Sequence, residues 1–143
     1  MPMRPFHHDF HDIASAETGV LVVRDHESLP DGDYALVEHY CDEADCDCRR
    51  VILLVLRADD MDKVWASINY GWEPPAYYAR WFGCSIDEAR QYARPTLDRH
   101  NPQTEHSFAL LWFFGHSLWH DQSYVRLLRR HYRMFKRGAG KPG

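Results

Sequence analysis

The chain has 143 residues, of which 45% are hydrophobic and 14% aromatic. That length favours a single domain over residues 1–143, and the apolar content excludes a disordered chain. No apolar run reaches the roughly 20 residues that a membrane span requires, and the N-terminal residues lack the apolar stretch of a secretory signal. We therefore expect a cytoplasmic protein, without membrane association, whose thiols stay reduced.

Charge is distributed unevenly along the chain. Residues 1–60 contain 5 Lys and Arg against 14 Asp and Glu, a net charge of -9, whereas residues 122–143 contain 7 basic and no acidic residues. The basic segment either neutralises the acidic half within the fold or forms a surface for RNA or another polyanion, and the overall charge of -4 favours the first interpretation. The second interpretation would use four arginines: Arg126, Arg129, Arg130 and Arg133.

The first half of the chain is typical of β-strands. Four runs rich in β-branched and apolar residues are separated by short turns: 19–23, 34–41, 50–56 and 63–70. Turns this short join antiparallel neighbours, because parallel strands need longer crossovers. The pattern predicts a four-stranded antiparallel sheet over about residues 18–70. Residues 1–16 carry only a weak pattern.

After Gly71 the hydrophobic period changes from two residues to about 3.6. This change predicts a helical layer over about residues 74–137, followed by a frayed tail at 138–143. Strands first and helices later indicate an α+β fold, in which three to four C-terminal helices cover one face of the sheet.

Capping residues predict where these helices begin and end. Pro74 and Pro75 favour a helix over 76–82 that stops at Gly83, and Ser85 is a candidate N-cap for a short second helix. Two further N-cap candidates precede long helices: Asn101, before a helix to about residue 119, and Asp121, before a helix over 122–136. The helix after Asn101 is apolar all round, so we expect it to be the buried centre of the helical layer.

Three of the four cysteines lie within eight residues, between two predicted strands. Cys41, Cys46 and Cys48 have the spacing C-x4-C-x-C. A hairpin would bring the three thiols together at its tip, and Cys46 and Cys48 point to the same side of an extended backbone. Zinc takes thiolate ligands in a tetrahedral arrangement. The sequence therefore predicts a metal site with zinc as the cofactor.

The fourth ligand of this site is open. His39 lies two residues before Cys41, hence on the same face of the strand, and is the local candidate. The remaining candidates are a water molecule and three side chains: Cys84, His116 and His120. A fourth protein ligand would make the site structural, whereas a water would leave it open for catalysis. Without a metal, the thiols would be buried small hydrophobes or a redox group.

The chain contains no P-loop, GxGxxG, HExxH or GxSxG motif. An aromatic cluster around Tyr77, Tyr78 and Trp81 is better explained as cover for the sheet than as a stacking platform. We therefore expect a non-catalytic, metal-binding protein with an interaction or scaffold role, for which an unknown protein is a candidate partner. The alternatives are a metal-dependent enzyme with an open three-cysteine site and an RNA-binding protein.

Several segments resemble an uncharacterised family of bacterial proteins. They are Tyr40-Cys41 through Cys46-Asp47-Cys48-Arg49-Arg50-Val51, then Asn69-Tyr70-Gly71-Trp72-Glu73, then Leu97-Asp98 with Asn101-Pro102-Gln103, then Arg130-His131-Tyr132 with Phe135-Lys136. The similarity covers residues 18–137. The family has no assigned activity, so the resemblance implies a shared fold and does not fix the fourth metal ligand.

Overall fold

The computed structural model describes residues 3–139, which contain a six-stranded antiparallel sheet. The strands are β1 Met3–Pro5, β2 Gly19–Val23, β3 Gly32–Cys41, β4 Arg50–Arg57, β5 Asp60–Gly71 and β6 Thr96–Leu97. The predicted antiparallel pairing is confirmed, but four strands is an undercount. The central strands β3, β4 and β5 follow one another in the sheet, β1 and β2 both pair with β3, and β6 pairs with β5.

Six α-helices accompany the sheet in this part of the chain. They are α1 Phe6–Asp9, α2 His11–Glu17, α3 Pro75–Phe82, α4 Ile86–Ala89, α5 Ser107–His116 and α6 Gln122–Ala139, with 3-10 turns at Arg90–Tyr92 and Leu118–His120. The α+β class is confirmed. No helix within residues 3–139 is long and apolar enough to span a bilayer.

The predicted frayed tail starts too early, because α6 remains helical through Ala139. Its last positions, 140–143, lie outside the described residues. The weakly patterned N-terminal segment contains β1, α1 and α2, which are each seven residues or shorter. Elements this short carry little periodicity, so pairing with β3 rather than local pattern determines where β1 lies.

Alternation along β3 and β4 creates one fully buried face of the sheet. Leu36 lies opposite Val55 and Glu38 lies opposite Leu53, and all four are buried. The hydrophobic core that contains Leu36, Leu53 and Val55 also includes apolar residues from three helices: Phe6 of α1, Leu110 and Phe114 of α5, and Leu128 and Phe135 of α6. The core therefore lies between this face and the helical layer, as the period-two pattern predicts.

Helix α5 differs from its prediction in both its start and its burial. It begins at Ser107 rather than near Asn101, because Gln103 donates hydrogen bonds to the carbonyls of Ser67 and Asp98 at 2.9 and 2.7 Å. These contacts hold the preceding segment against the edge of β5. The side chains of Phe108 and Trp112 are 77% and 55% exposed, so the helix is not the buried centre of the layer.

Other capping predictions are confirmed. The Ser85 side chain accepts a hydrogen bond from the Glu88 amide at 3.1 Å. Asp121 Oδ1 accepts from the Ser123 amide at 2.9 Å, at the start of α6. Gly83 ends α3 with φ of 66°, in the left-handed region that favours glycine.

A buried ionic network joins α6 to β3 and α2. His131 is fully buried, with Nδ1 2.7 Å from Glu38 and Nε2 2.7 Å from Glu17. Arg130 donates to both carboxylate oxygens of Glu17 at 2.6 Å, and the Tyr40 hydroxyl donates to Glu38 at 2.6 Å. Because both ring nitrogens face carboxylate oxygens, the arrangement favours the doubly protonated imidazolium.

The pKa values in this network shift in opposite directions. Burial lowers the pKa of His131, but hydrogen bonds and charge from Glu38 and Glu17 outweigh it, so the pKa lies above its usual value. Hydrogen bonds from His131 and Arg130 lower the pKa of Glu17. The network is therefore most stable when His131 carries a proton and Glu17 does not.

This network predicts a defined pH dependence of stability. The contribution of His131 is complete below its unfolded-state pKa, about 6.5, and is lost as pH rises through the raised folded-state pKa. The contribution of Glu17 is complete above its unfolded-state pKa, about 4.3, and is lost as pH falls through the lowered folded-state pKa. Urea unfolding of the wild type and of His131→Gln across this range measures both effects.

At neutral pH we expect His131→Gln to lower the free energy of unfolding by about 3 kcal/mol, because it leaves the buried Glu38 carboxylate without its charged partner. The matched control is Arg130→Ala, which removes a half-exposed ion pair and costs below about 1 kcal/mol. Equal losses in the free energy of unfolding for the two variants would contradict a special role for the buried pair of His131 and Glu38.

Gly71 permits α3 to approach the end of β5. A Cβ at Gly71 would overlap the Tyr78 hydroxyl and the Tyr92 carbonyl. We expect Gly71→Ala to destabilise the fold by about 1–3 kcal/mol through overpacking. Gly115→Ala is the control, because nothing lies near its Cβ position and alanine favours the helix by up to about 1 kcal/mol. Thermal unfolding of both variants tests the contrast, and a neutral Gly71→Ala would refute the close approach.

Candidate metal centre

The three clustered cysteines converge as the sequence predicts. Cys41 is the last residue of β3, Cys46 lies in the following loop, and Cys48 lies two residues before β4. Their Sγ atoms all lie within 4.8 Å of one another. The three residues are 0%, 8% and 1% exposed, so the thiols form a buried group that could hold a metal ion.

The loop between β3 and β4, residues 42–49, is the cysteine loop. Helix α6 holds the first half of this loop in place. Lys136 Nζ donates hydrogen bonds to the carbonyls of Cys41 and Glu43, at 2.8 and 3.0 Å. The Cys46 amide donates to the Glu43 carbonyl at 3.1 Å, which closes a turn. The backbone between the first two thiols is therefore held in place by a side chain of the helical layer.

Tyrosine hydroxyls hold the second half of the loop. The Tyr132 hydroxyl donates to the Asp47 carboxylate at 2.8 Å and accepts from the Arg49 amide at 3.1 Å. The hydroxyls of Tyr78 and Tyr77, from α3, donate to the carbonyls of Arg49 and Asp47. Arg49 itself has a left-handed φ of 51°, a backbone conformation that such surrounding contacts stabilise.

These tyrosines were not identified as part of the site from the sequence. The sequence predicts that Tyr77 and Tyr78 cover the sheet, and it places Tyr132 in the last helix without indicating a role in the site. A buried tyrosine usually finds a hydrogen-bond partner for its hydroxyl. That rule was the one signal in the sequence that pointed to polar contacts, but it does not identify the partner.

Burial raises the pKa of all three clustered thiols. The charge of a neighbouring thiolate raises the pKa further: that of Cys48 acts on Cys46, and that of Cys41 acts on Cys48. Three adjacent buried thiolates are therefore unfavourable without a compensating cation. A divalent metal would supply that charge and bind the sulfur atoms directly.

Met3 lies beside this group. It is the register partner of Cys41 across the β1–β3 pair, and it packs against the three cysteines. Side chains directly opposite each other on antiparallel strands lie about 4.5–5.5 Å apart at Cβ. Met3 was not identified from the sequence, because the pairing of β1 with β3 is not visible in a three-residue strand.

The candidates for a fourth ligand are placed as follows. Among residues 3–139, the group of mutually close ligand atoms contains the three sulfur atoms alone. His39 is half-buried, and its Nδ1 lies 3.1 Å from the Val37 carbonyl. Burial lowers the pKa of His39, which favours the neutral imidazole that metals bind. His39 therefore stays a prediction as the fourth ligand.

The distant candidates have other surroundings. Cys84 is partly buried after α3, and none of the four cysteines, all within the described residues, forms a disulfide. The exposed ring of His116 stacks on Trp112 with its Nδ1 2.8 Å from the Trp112 carbonyl. The ring of His120 lies against Trp119. None of the three belongs to the three-thiol group.

Two cavities adjoin the three-thiol group. One, of about 610 Å³, lies between the cysteine loop and α6, and its wall includes Cys46. The other, of about 1270 Å³, has Met3 and Cys48 in its wall. Small molecules therefore have space beside Cys46 and beside Cys48.

Comparison with models of protein families, with curated proteins and with solved structures found no match to this chain. The resemblance to a bacterial family accordingly stays a prediction. The function must be argued from the geometry and the chemistry of the three-thiol group.

Proposed function

We propose that the protein binds zinc through Cys41, Cys46 and Cys48 and has a non-catalytic role in protein interaction. The convergence of three buried sulfur atoms within 4.8 Å of one another carries this proposal. Thiolates bind zinc at about 2.3 Å, so two sulfurs on one ion lie roughly 3.8 Å apart. Small side-chain movements would bring the three-thiol group to that spacing.

A zinc ion at this position would stabilise the connection between β3 and β4. The loop has no helix or strand between Cys41 and Arg50, yet both of its cysteines, Cys46 and Cys48, are buried. A metal would join the end of β3 to the residues just before β4 and keep the hairpin closed. We propose His39 as the fourth ligand, through Nε2, because Nδ1 lies at the Val37 carbonyl.

The proposed site requires reduced thiols. A disulfide within the group would remove two of the three ligands, so zinc binding fits a reducing compartment such as the cytoplasm. The four carboxylates of the cysteine loop, Asp42, Glu43, Asp45 and Asp47, attract cations to its surface.

The adjoining cavities favour one alternative, a metal-dependent enzyme. If a water completed the coordination of the ion, the wall at Cys46 would place that water beside the 610 Å³ cavity. The coordination of the ion distinguishes the two functions, since a closed sphere of protein ligands leaves no position for a substrate.

The zinc proposal predicts one ion per chain in protein purified without a metal-affinity tag. The variants Cys46→Ser and Cys48→Ser should each contain less than about 0.2 zinc ions per chain, because a hydroxyl does not replace a thiolate ligand. Elemental analysis measures this content. Cys84→Ser is the matched control and should retain the ion, because Cys84 lies outside the group. Substoichiometric zinc in the wild type, or equal loss in the control, would refute the proposal.

Removal of the ion should also destabilise the fold. Zinc at about 1,000 times its dissociation constant stabilises the folded chain by about 4 kcal/mol. Chelation should therefore lower the midpoint of thermal unfolding in the wild type and in Cys84→Ser, but not in Cys48→Ser. A midpoint that does not respond to chelation would exclude a structural ion.

X-ray absorption at the zinc edge tests the fourth ligand. We expect three sulfur neighbours and one nitrogen, and His39→Ala should replace the nitrogen contribution while the three sulfurs remain. An unchanged spectrum in His39→Ala would exclude His39, whereas a wild-type spectrum without imidazole scattering would favour the open site of the alternative function.

A further inference from the structure

A basic cleft lies between the cysteine loop and α6. It is the cavity of about 610 Å³ described above. Arg129, Arg133 and Arg137 line it, and their spacing of four residues places them along one face of α6. Lys136 also lines the cleft, but its ammonium group is already bonded to two backbone carbonyls.

These three arginines have no anionic partner within residues 3–139. Arg130, on the same helix, pairs with Glu17, whereas no ion pair involves Arg129, Arg133 or Arg137 in this part of the chain. The expected neutralisation of the basic segment by the acidic half therefore applies to Arg130 and not to this face. Like charges spaced by four residues on a helix repel one another, so the row is unfavourable without a bound anion.

The acidic groups at the cleft do not neutralise the row. The Asp47 carboxylate accepts from Arg49 at 2.9 Å and from Tyr132 at 2.8 Å, and Glu73 lies 3.6 Å from Arg49. The carboxylates of Asp47 and Glu73 therefore already have partners among the other residues that line the cleft. Asp45 lines the cleft, and none of the ion pairs within residues 3–139 joins it to the arginine row.

Aromatic side chains complete the wall. Tyr132 is held by Asp47 and by the Arg49 amide, and Trp72 packs edge-on against it with ring centroids 5.2 Å apart. The cleft therefore combines a fixed aromatic wall with three guanidinium groups on one side. A cavity of about 300–1,000 Å³ suits a small molecule.

We propose that the basic cleft binds a small, multiply charged phosphate anion, such as a polyphosphate or the phosphate groups of a nucleotide. Guanidinium groups form paired hydrogen bonds with phosphate oxygens, and several in a row suit several phosphates. This proposal does not depend on which ion the three-thiol group holds.

A long polyanion such as RNA fits the surface less well. The cysteine loop that borders the cleft carries four carboxylates, and residues 1–60 have a net charge of -9. These charges would repel an RNA strand that extends beyond the cleft. Arg126, which the RNA interpretation would also use, does not line the cleft.

Isothermal titration of the full chain, as purified, with inorganic tripolyphosphate tests the proposal. We expect one tripolyphosphate per chain and affinities at least about tenfold weaker for Arg129→Ala and for Arg133→Ala. The matched control is Arg126→Ala, which makes the same change in charge on the same helix outside the cleft and should bind as the wild type does. Zinc content, measured after titration, verifies that the anion has not removed the ion.

Thermal unfolding without the anion separates binding from folding. Arg133→Ala should unfold at the same temperature as the wild type or higher, because it removes like-charge repulsion, while tripolyphosphate should raise the midpoint of the wild type more than that of the variant. The proposal would be overturned if no binding occurred at about 5 mM tripolyphosphate. It would also be overturned if Arg126→Ala lowered the affinity as much as the variants in the cleft do. If single-stranded RNA bound more tightly than tripolyphosphate, and Arg126→Ala also weakened the binding of RNA, the proposal would be overturned in favour of an RNA surface.

Discussion

The contact of α6 with β3 positions both the core and the candidate metal centre. The Tyr40 hydroxyl, which donates to Glu38, also lies 3.2 Å from the Leu128 carbonyl, His131 contacts Glu38, and Lys136 reaches the Cys41 carbonyl at the end of the strand. Helix and strand are therefore joined at three successive levels. Because the last of these contacts is on the cysteine loop, a displacement of α6 would move the thiols as well as open the core. The same helix face that carries Leu128 and Phe135 into the core thus supplies the polar contacts that order the site.

The buried charges along this contact specify the register of β3. Glu38 and Tyr40 share a face, so they meet His131 and the Leu128 carbonyl together. A shift of one residue would turn both polar groups away from α6 and place Val37 and His39 against it. Glu38 would then lose its charged partner. The ionic network therefore supports one pairing of strand and helix over others that would bury similar apolar area.

Local pattern was sufficient for the long elements and for the convergence of the thiols, because both depend on residues close in sequence. The spacing of Cys41, Cys46 and Cys48 around a turn restricts where the sulfur atoms can lie. His131 is different: it contacts Glu38 and Glu17 over separations of 93 and 114 residues, which no periodicity encodes. The prediction that helix α5 is buried failed for another reason. Its uniform apolar composition gives no preferred face, so the sequence could not indicate that Phe108 and Trp112 remain exposed.

The cysteine loop connects the three-thiol group to the basic cleft. Cys46 belongs to both, and Asp47 and Arg49, which border the cleft on either side of Cys48 in the chain, are held by tyrosine hydroxyls. An ion bound to the sulfur atoms would restrict this shared wall and reduce the conformational entropy that an anion must otherwise remove on binding. Such coupling is reciprocal, so an anion in the cleft would favour metal binding by the same free energy. The loop is therefore the element through which the two candidate ligands would affect each other.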